Sequence, residues 1–514
     1  MNDNLYALFQ SRFPSDRSQP AIETAGGRTY TYAELENITA SYAGFIQLLG
    51  VLPGDRVAVQ VEKSPEALFL YLACLKAGAI YLPLNSAYME GEIDFFLGDA
   101  EPKIFVHQPK SLAWATALCE KRGIAHQFFL PAEEENLPSG SGSRFWSKNA
   151  LAAPPMRETA QRNADDLAAI LYTSGTTGRS KGAMITHKNL ASNAITLHQV
   201  WGFQPGDVLL HALPLFHVHG LFVACHTALL NGSKMIFHAK FDAKAIIAAL
   251  PRATVFMGVP TMYVRLLGES SFTGDSCHSI RLFVSGSAPL LSETFDEFKE
   301  RTGHTILERY GMTETGMITS NPLVGNRIGG TVGMPLPGVA LRVVDEDDKA
   351  CVSDTIGHLQ VKGDNVLPGY WRLPEKNQEE FTTDGYFRTG DVGKIDARGY
   401  VSIVGRSKDL VISGGYNVYP KEIELLIDEM SDVAESAVIG LPHPDFGEAV
   451  AAVVVRSNAS DALNEAVVIA ALKGKLAAFK VPKRVFIVDA LPRNAMGKVQ
   501  KNELRKQYAS TFSA

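Results

Sequence analysis

The stretch from Leu171 to Met184 reads LYTSGTTGRSKGAM and gathers hydroxyls, glycines and one lysine into a span too polar for a core. Thr173, Ser174, Thr176 and Thr177 carry hydroxyl donors, and Gly175 and Gly178 allow successive backbone N–H groups to converge on one point. With the charge of Lys181 added, these are the requirements for holding a polyphosphate. The spacing is not GxxxxGK[ST], because the lysine is followed by Gly182, so the P-loop NTPase reading fails. A hydroxyl-rich surface turn is the alternative, since turns favour the same residue types. His217 and His219 stand two apart with no third ligand or acidic cluster nearby, which reads as a pocket wall rather than a metal site.

The cradle needs an element to present it, and the apolar run DLAAILY just before it reads as a buried strand. Further runs, RVAVQVE, AIYLPLN and KIFVHQ, alternate with helical stretches such as SPEALFLYLACLKAG between about residues 30 and 260. That alternation predicts parallel sheets covered by helices. From about 326 to 403 the texture becomes short β-like runs with close turns, which predicts a small β subdomain. After GRSKD come DLVISGG, the helix KEIELLIDEM, the strands ESAVIGLP and AVAAVVVR, a helix through VVIAALKGKLAAF and the strand RVFIVDA. The fold class is therefore α/β: a large amino-terminal domain over 1–407, with two helix-covered, mostly parallel sheets and the small β subdomain, joined by a hinge to a small α+β domain over 408–514.

The remaining bounds are permissive. At 514 residues the chain is long enough for two or three domains. A formal net charge of -6 gives no global attraction to nucleic acid or acidic membranes. No run approaches the apolar length of a membrane span, and the amino terminus resembles neither a secretory signal nor a transit peptide. The five cysteines are scattered singly, as in a reduced cytoplasmic protein, so the expected location is the cytoplasm.

TSGTTGRSKG resembles the signature loop of the adenylate-forming acyl-CoA synthetases, the superfamily shared with luciferases and nonribosomal peptide adenylation domains. The resemblance covers nearly the whole chain through motifs in order: TYTYAEL at 29–35, YLPLN at 81–85, LPLFHVHG at 213–220, SGSAPL at 285–290, ERYGMTET at 308–315, RTGD at 388–391, GRSKD at 405–409, SGGYNVYP at 413–420 and PRNAMGK at 492–498. It implies ATP, Mg²⁺ and coenzyme A as reactants, and two half-reactions. A carboxylate first attacks the α-phosphate of ATP, and CoA then displaces AMP from the acyl adenylate.

By the same resemblance each motif residue acquires a role. Lys498 would bridge the carboxylate and the α-phosphate, Thr313 would bond that phosphate, and Glu314, with Thr176 nearby, would hold Mg²⁺. The span Thr173 to Gly178 and Lys181 would retain the outer phosphates. Ser287, Ala288 and Pro289 would face Glu308, Arg309, Tyr310, Gly311 and Met312 across the adenine. Asp391 would take the ribose hydroxyls beside Arg406. Lys408 would be the hinge about which a mobile carboxyl-terminal domain rotates, and Gly414, Gly415 and Tyr416 would line the CoA channel. An exposed Lys498 is also an expected target of a lysine acetyltransferase and deacetylase.

Within the superfamily the match is best with ligases of malonate, through FHVHGLF, MGVPTMYVRLL, RLFVSGSAPL and ERYGMTET. A dicarboxylate needs a cation for its distal end. Arg265, on the helical face of Thr261, and Arg281, on the strand face of Ser285, are the two candidates. Val218, His219, Ser285 and Met312 would form the pocket wall. The alternative acid is another small, medium-chain or aryl carboxylate. A non-catalytic nucleotide-binding module is disfavoured because Lys498, Glu314, Thr313 and Asp391 are all present.

Overall fold

A computed structural model of the chain describes residues 2–131, 144–173, 180–413, 416–457, 463–473, 475–494 and 497–512. Two compact units are present, one comprising Met1–Gly329, Pro335–Ala340 and Lys362–Phe381, the other Gly330–Met334, Leu341–Val361 and Thr382–Ala514.

In the first unit the strand Arg56–Gln60 runs parallel to Ile80–Pro83 on one side and Ile104–His107 on the other. Leu167–Thr173 follows next to Ile80–Pro83, also parallel. All four residues of Ile80–Pro83 are buried, as in a sheet covered on both faces, which is why such strands read as unbroken apolar runs. The covering helix Pro65–Ala77 has clear boundaries. Ser64 caps it by accepting from the Ala67 N–H, Pro65 opens it, and Gly78 ends it in the left-handed conformation. Every residue of that helix except Glu66 is buried, so it packs inside the unit rather than on its surface.

A second sheet of the same unit places Val208–His211, Val255–Gly258, Leu282–Ser285 and Leu307–Met312 side by side in parallel. Gly316–Ser320 turns back antiparallel on the last of these. The expectation of two helix-covered, mostly parallel sheets is met.

The second unit contains the antiparallel pair Phe387–Ile395 and Val401–Arg406. It also contains the pair Val433–His443 and Gly447–Arg456, with Arg484–Val488 added in parallel. The helix Pro420–Asp428 buries Ile423 and Ile427 against Val438, Val450 and Val454. Among the described residues no helix is long and apolar enough to cross a membrane.

All five cysteines are free, and Cys74, Cys119, Cys225 and Cys277 are buried. Burial pushes their thiols up, to about 11 for Cys119 and Cys277 and about 12 for Cys225.

Candidate functional site

The strand Leu167–Thr173 forms an antiparallel hairpin with Lys181–Thr186, and the register sets Thr173 directly opposite Lys181. The two ends of the expected phosphate loop are therefore held together by the sheet. Ser174, Gly175, Thr176, Thr177 and Gly178 themselves lie outside the described residues. The Lys181 ammonium sits 4.3 Å from the centre of the Tyr370 ring and 3.2 Å from Glu380 Oε1. The Tyr370 hydroxyl donates to Glu314 Oε1 at 3.1 Å, and Thr173 Oγ1 donates to the same oxygen at 3.2 Å. Lys181, Tyr370, Glu314 and Thr173 thus form one cluster.

Thr313 and Glu314 occupy the tight turn between Leu307–Met312 and Gly316–Ser320, where Met312 pairs with Gly316. Gly311 has to be glycine, because a Cβ there would lie 2.2 Å from the Gly316 carbonyl oxygen and 2.7 Å from Met317 Cα. The close approach of the two strands aims the turn, and Glu314 is 6% exposed at its tip. A cavity of about 20 Å³, room for roughly one water, is lined by Val218, Phe222, Thr313 and Glu314.

The SGSAPL segment lies beside this turn. Ser287 adopts φ 73°, a left-handed conformation unusual for a non-glycine residue. The Leu290 N–H donates to Glu308 Oε1 at 3.0 Å, so Glu308 ties down the end of this segment. Ser287 Oγ lies 3.3 Å from His219 Nδ1. His219 opens a π-helical turn, His219–Cys225, a conformation that recurs at functional sites. Burial, aided by the Arg309 charge, pushes the His219 imidazole well below its usual range and keeps it neutral.

Arg309 is 2% exposed, and its Nε and Nη2 have no hydrogen-bond partner among the described residues. Its guanidinium packs against Gly286, where a Cβ would come within 2.5 Å of Cζ. Burial lowers its pKa to about 9. Ser285 Oγ and His219 Nε2 are likewise buried without a partner. Buried polar groups are almost always hydrogen-bonded. Three such groups, from Ser285, Arg309 and His219, lie on neighbouring elements.

Neither arginine expected at the acyl pocket has this character. Arg281 Nε donates to Asp207 Oδ1 at 2.8 Å, Nη2 donates to the other carboxylate oxygen, and Nη1 reaches the Trp201 carbonyl at 3.2 Å. Its donors are committed to an acid that is 3% exposed, and it precedes the strand Leu282–Ser285 rather than lying on it. Arg265 is exposed on the helix Pro260–Leu267. Met312 and Tyr310 are half-buried at the end of their strand, and Val218 is buried. Ala288 is half-buried, and Pro289 is exposed.

In the second unit, Asp391 and Arg406 face each other across the antiparallel pair. Arg406 Nε lies 2.7 Å from Asp391 Oδ1, and the carboxylate is 4% exposed. Lys408 lies exposed in a single 3₁₀ turn, Ser407–Asp409. Tyr416 is 59% exposed and stacks on Phe479 with ring centres 4.6 Å apart. Gly414 and Gly415 lie outside the described residues. Lys498 is exposed.

Two residues of the Lys181 cluster, Tyr370 and Glu380, went unnoticed in the sequence. They come from the stretch GYWRLPEKNQEE, which carries no local signal beyond its glycine and proline. Arg309 was read only with the nucleotide motif. Its signal is a charge on the same strand face as Leu307, which is fully buried.

A family model described as AMP-binding enzyme matches residues 9–371, and one described as AMP-binding enzyme C-terminal domain matches 422–498. The chain is 53% identical to MatB from Rhodopseudomonas palustris. The ATP-bound crystal structure of MatB superposes with a TM-score of 0.95, each chain being covered over 100%. A malonate–CoA ligase of Arabidopsis thaliana is 34% identical over 534 residues, 94% of this chain and 85% of its own length. A feruloyl-CoA synthase of an Amycolatopsis species is 34% identical over 488 residues, 94% and 95% of the two lengths.

Proposed function

The chain belongs to the AMP-binding enzyme family, and on that premise we propose that it ligates malonate to coenzyme A with cleavage of ATP to AMP and pyrophosphate. The observation that carries malonate is Arg309. A buried guanidinium with two unpartnered nitrogens is costly unless a ligand completes it. An aliphatic or aryl acyl group would leave it facing carbon, whereas the distal carboxylate of malonate gives it a two-oxygen partner. His219 Nε2 and Ser285 Oγ add neutral contacts, and Val218 and Met312 limit length. An aryl acid is the second reading, from the likeness to a feruloyl-CoA synthase.

The reaction begins when the proximal carboxylate attacks the α-phosphorus and pyrophosphate leaves. This brings anion against anion, so cations must stand where charge develops. Lys498 supplies the ammonium at the reacting carboxylate and α-phosphate. Lys181, fixed beside Tyr370, holds the departing phosphates together with the 174–178 loop. Thr313 donates to the α-phosphate, Asp391 accepts from the ribose hydroxyls, and Arg406 adds charge beside them. Glu314 fits a magnesium ion. It offers a carboxylate beside the Thr173 hydroxyl, and magnesium takes only one or two protein carboxylates with phosphate oxygens and water. When bound, that ion would neutralise polyphosphate charge. In the second half-reaction the CoA sulfur attacks the acyl carbon and AMP leaves. Rotation about Lys408 brings the Gly414–Gly415–Tyr416 segment to the pantetheine arm.

A pyrophosphate-release panel over mono- and dicarboxylic acids tests the reading, with malonate expected to give the highest kcat/KM. Octanoate or a cinnamate outcompeting malonate would overturn it. The five free cysteines support a reducing cytoplasmic setting. The exposed Lys498 amine supports control by a lysine acetyltransferase and deacetylase, to be sought by mass spectrometry of protein taken from cells.

A further inference from the structure

Lys498 lies on a short loop whose backbone is closed on itself. The Asn494 N–H donates to the Lys498 carbonyl at 3.0 Å, and the Lys498 N–H returns to Asn494 Oδ1 at 3.0 Å. The Gln500 N–H closes the base on the Pro492 carbonyl at 2.8 Å. Arg493 and Val499 form an isolated β-bridge. The position of Lys498 therefore depends on what holds the two legs of this loop.

Both legs end on carboxylates of the same pair of packed elements. The first leg carries Arg493, whose guanidinium binds the Gly497 carbonyl within the loop and Glu435 outside it. Glu435 belongs to the strand Val433–His443. The second leg runs into Lys501, whose ammonium pairs with Glu424 of the helix Pro420–Asp428. Glu424 is 6% exposed, and its Oε1 also accepts from the Val438 N–H at 2.8 Å, which ties the helix to that same strand. Two ion pairs on one platform therefore straddle Lys498.

We propose that Glu424 and Glu435 are positioning residues for Lys498: through Lys501 and Arg493 they hold both legs of its loop, and so fix where the adenylating ammonium stands. Neither acid touches a reactant. Their contribution is to the geometry of the first half-reaction alone, where a misplacement of about 1 Å can cost a large part of the rate. The inference rests on the assignment of Lys498 to that half-reaction.

The test measures two activities on the full chain: malonate-dependent ATP–pyrophosphate exchange, and CoA-dependent conversion of supplied malonyl-AMP. K498A first checks the underlying assignment. It should abolish exchange and spare the second activity, and retained exchange would sink that assignment irrespective of the two acids. E435Q should lower kcat for exchange about tenfold, with KM for ATP within twofold of wild type and thioester formation unchanged. E424Q should act in the same direction, and E435D, which keeps the carboxylate, should retain most of the rate that E435Q loses. The inference fails if E435Q leaves exchange unchanged, if both half-reactions fall by the same factor, or if E435D loses as much as E435Q while melting as wild type does.

Discussion

Three arginines bear on how the acyl pocket handles charge, and their environments separate them. Arg309 is buried with donors to spare, Arg281 is saturated by Asp207, and Arg265 is exposed. R309Q should therefore raise KM for malonate by roughly 30- to 150-fold, equivalent to about 2–3 kcal/mol for charge-assisted hydrogen bonds, and leave KM for ATP nearly unchanged. R281Q should do the reverse. It strands the buried Asp207 carboxylate and lowers the melting temperature, by about 3 kcal/mol of stability, without altering KM for malonate. Equal effects of both substitutions on KM would refute this division. The need for a cation was readable in the sequence from the dicarboxylate itself. Its identity was not, because residue type and spacing do not reveal which guanidinium has already been claimed by a neighbouring acid.

At the scale of elements, the sequence revealed most where burial forces a pattern. The continuous apolar runs became the central strands, and DLAAILY entered a strand whose antiparallel partner begins at Lys181. It misjudged the helix through VVIAALKGKLAAF, which ends at Leu472, with Lys473 already extended. The following glycine disfavours helix by about 1 kcal/mol relative to alanine, and Leu476 and Phe479 beyond it pack, without continuing the helix, against the same core as Val468 and Leu472. The helix Pro420–Asp428 carries a feature no periodicity shows. Asp428 is pushed up to about 6 by burial, with Glu424 and Glu435 adding to the rise and Ser436 and Lys421 opposing it. A carboxyl raised above its unfolded value near 3.9 makes the fold more stable in acid, and that contribution is lost as pH rises through 6. Relative to D428N, the wild type should therefore gain up to about 3 kcal/mol of unfolding free energy between pH 8 and pH 4, read from denaturant melts at each pH. Identical pH dependence in the two proteins would refute the claim.

For the whole molecule, the sequence reads as a large α/β part over 1–407 and a small α+β part over 408–514 because their textures differ, whereas the second compact unit also takes in Gly330–Met334, Leu341–Val361 and the stretch from Thr382 onward. It could not show that the chain crosses between the two compact units several times between Gly329 and Thr382. Those crossings are tertiary facts without a compositional trace. The proposed alternation between half-reactions makes its own prediction at this scale. Proline at 408 fixes φ near −65°, so K408P should slow overall turnover more than tenfold while sparing pyrophosphate exchange. Unchanged turnover would place the pivot elsewhere.

The buried thiols carry a chemical consequence. An enzyme that makes an activated acyl anhydride and then offers it to a free sulfhydryl must keep its own sulfur out of the competition. Burial raises the thiols of Cys74, Cys119, Cys225 and Cys277 well above neutrality. The thiolate is the form that captures acyl groups and exchanges with disulfides, and these four residues scarcely form it. These four thiols are in this sense chemically silent toward both the intermediate and the thiol substrate, which favours coenzyme A as the sulfur that collects the acyl group.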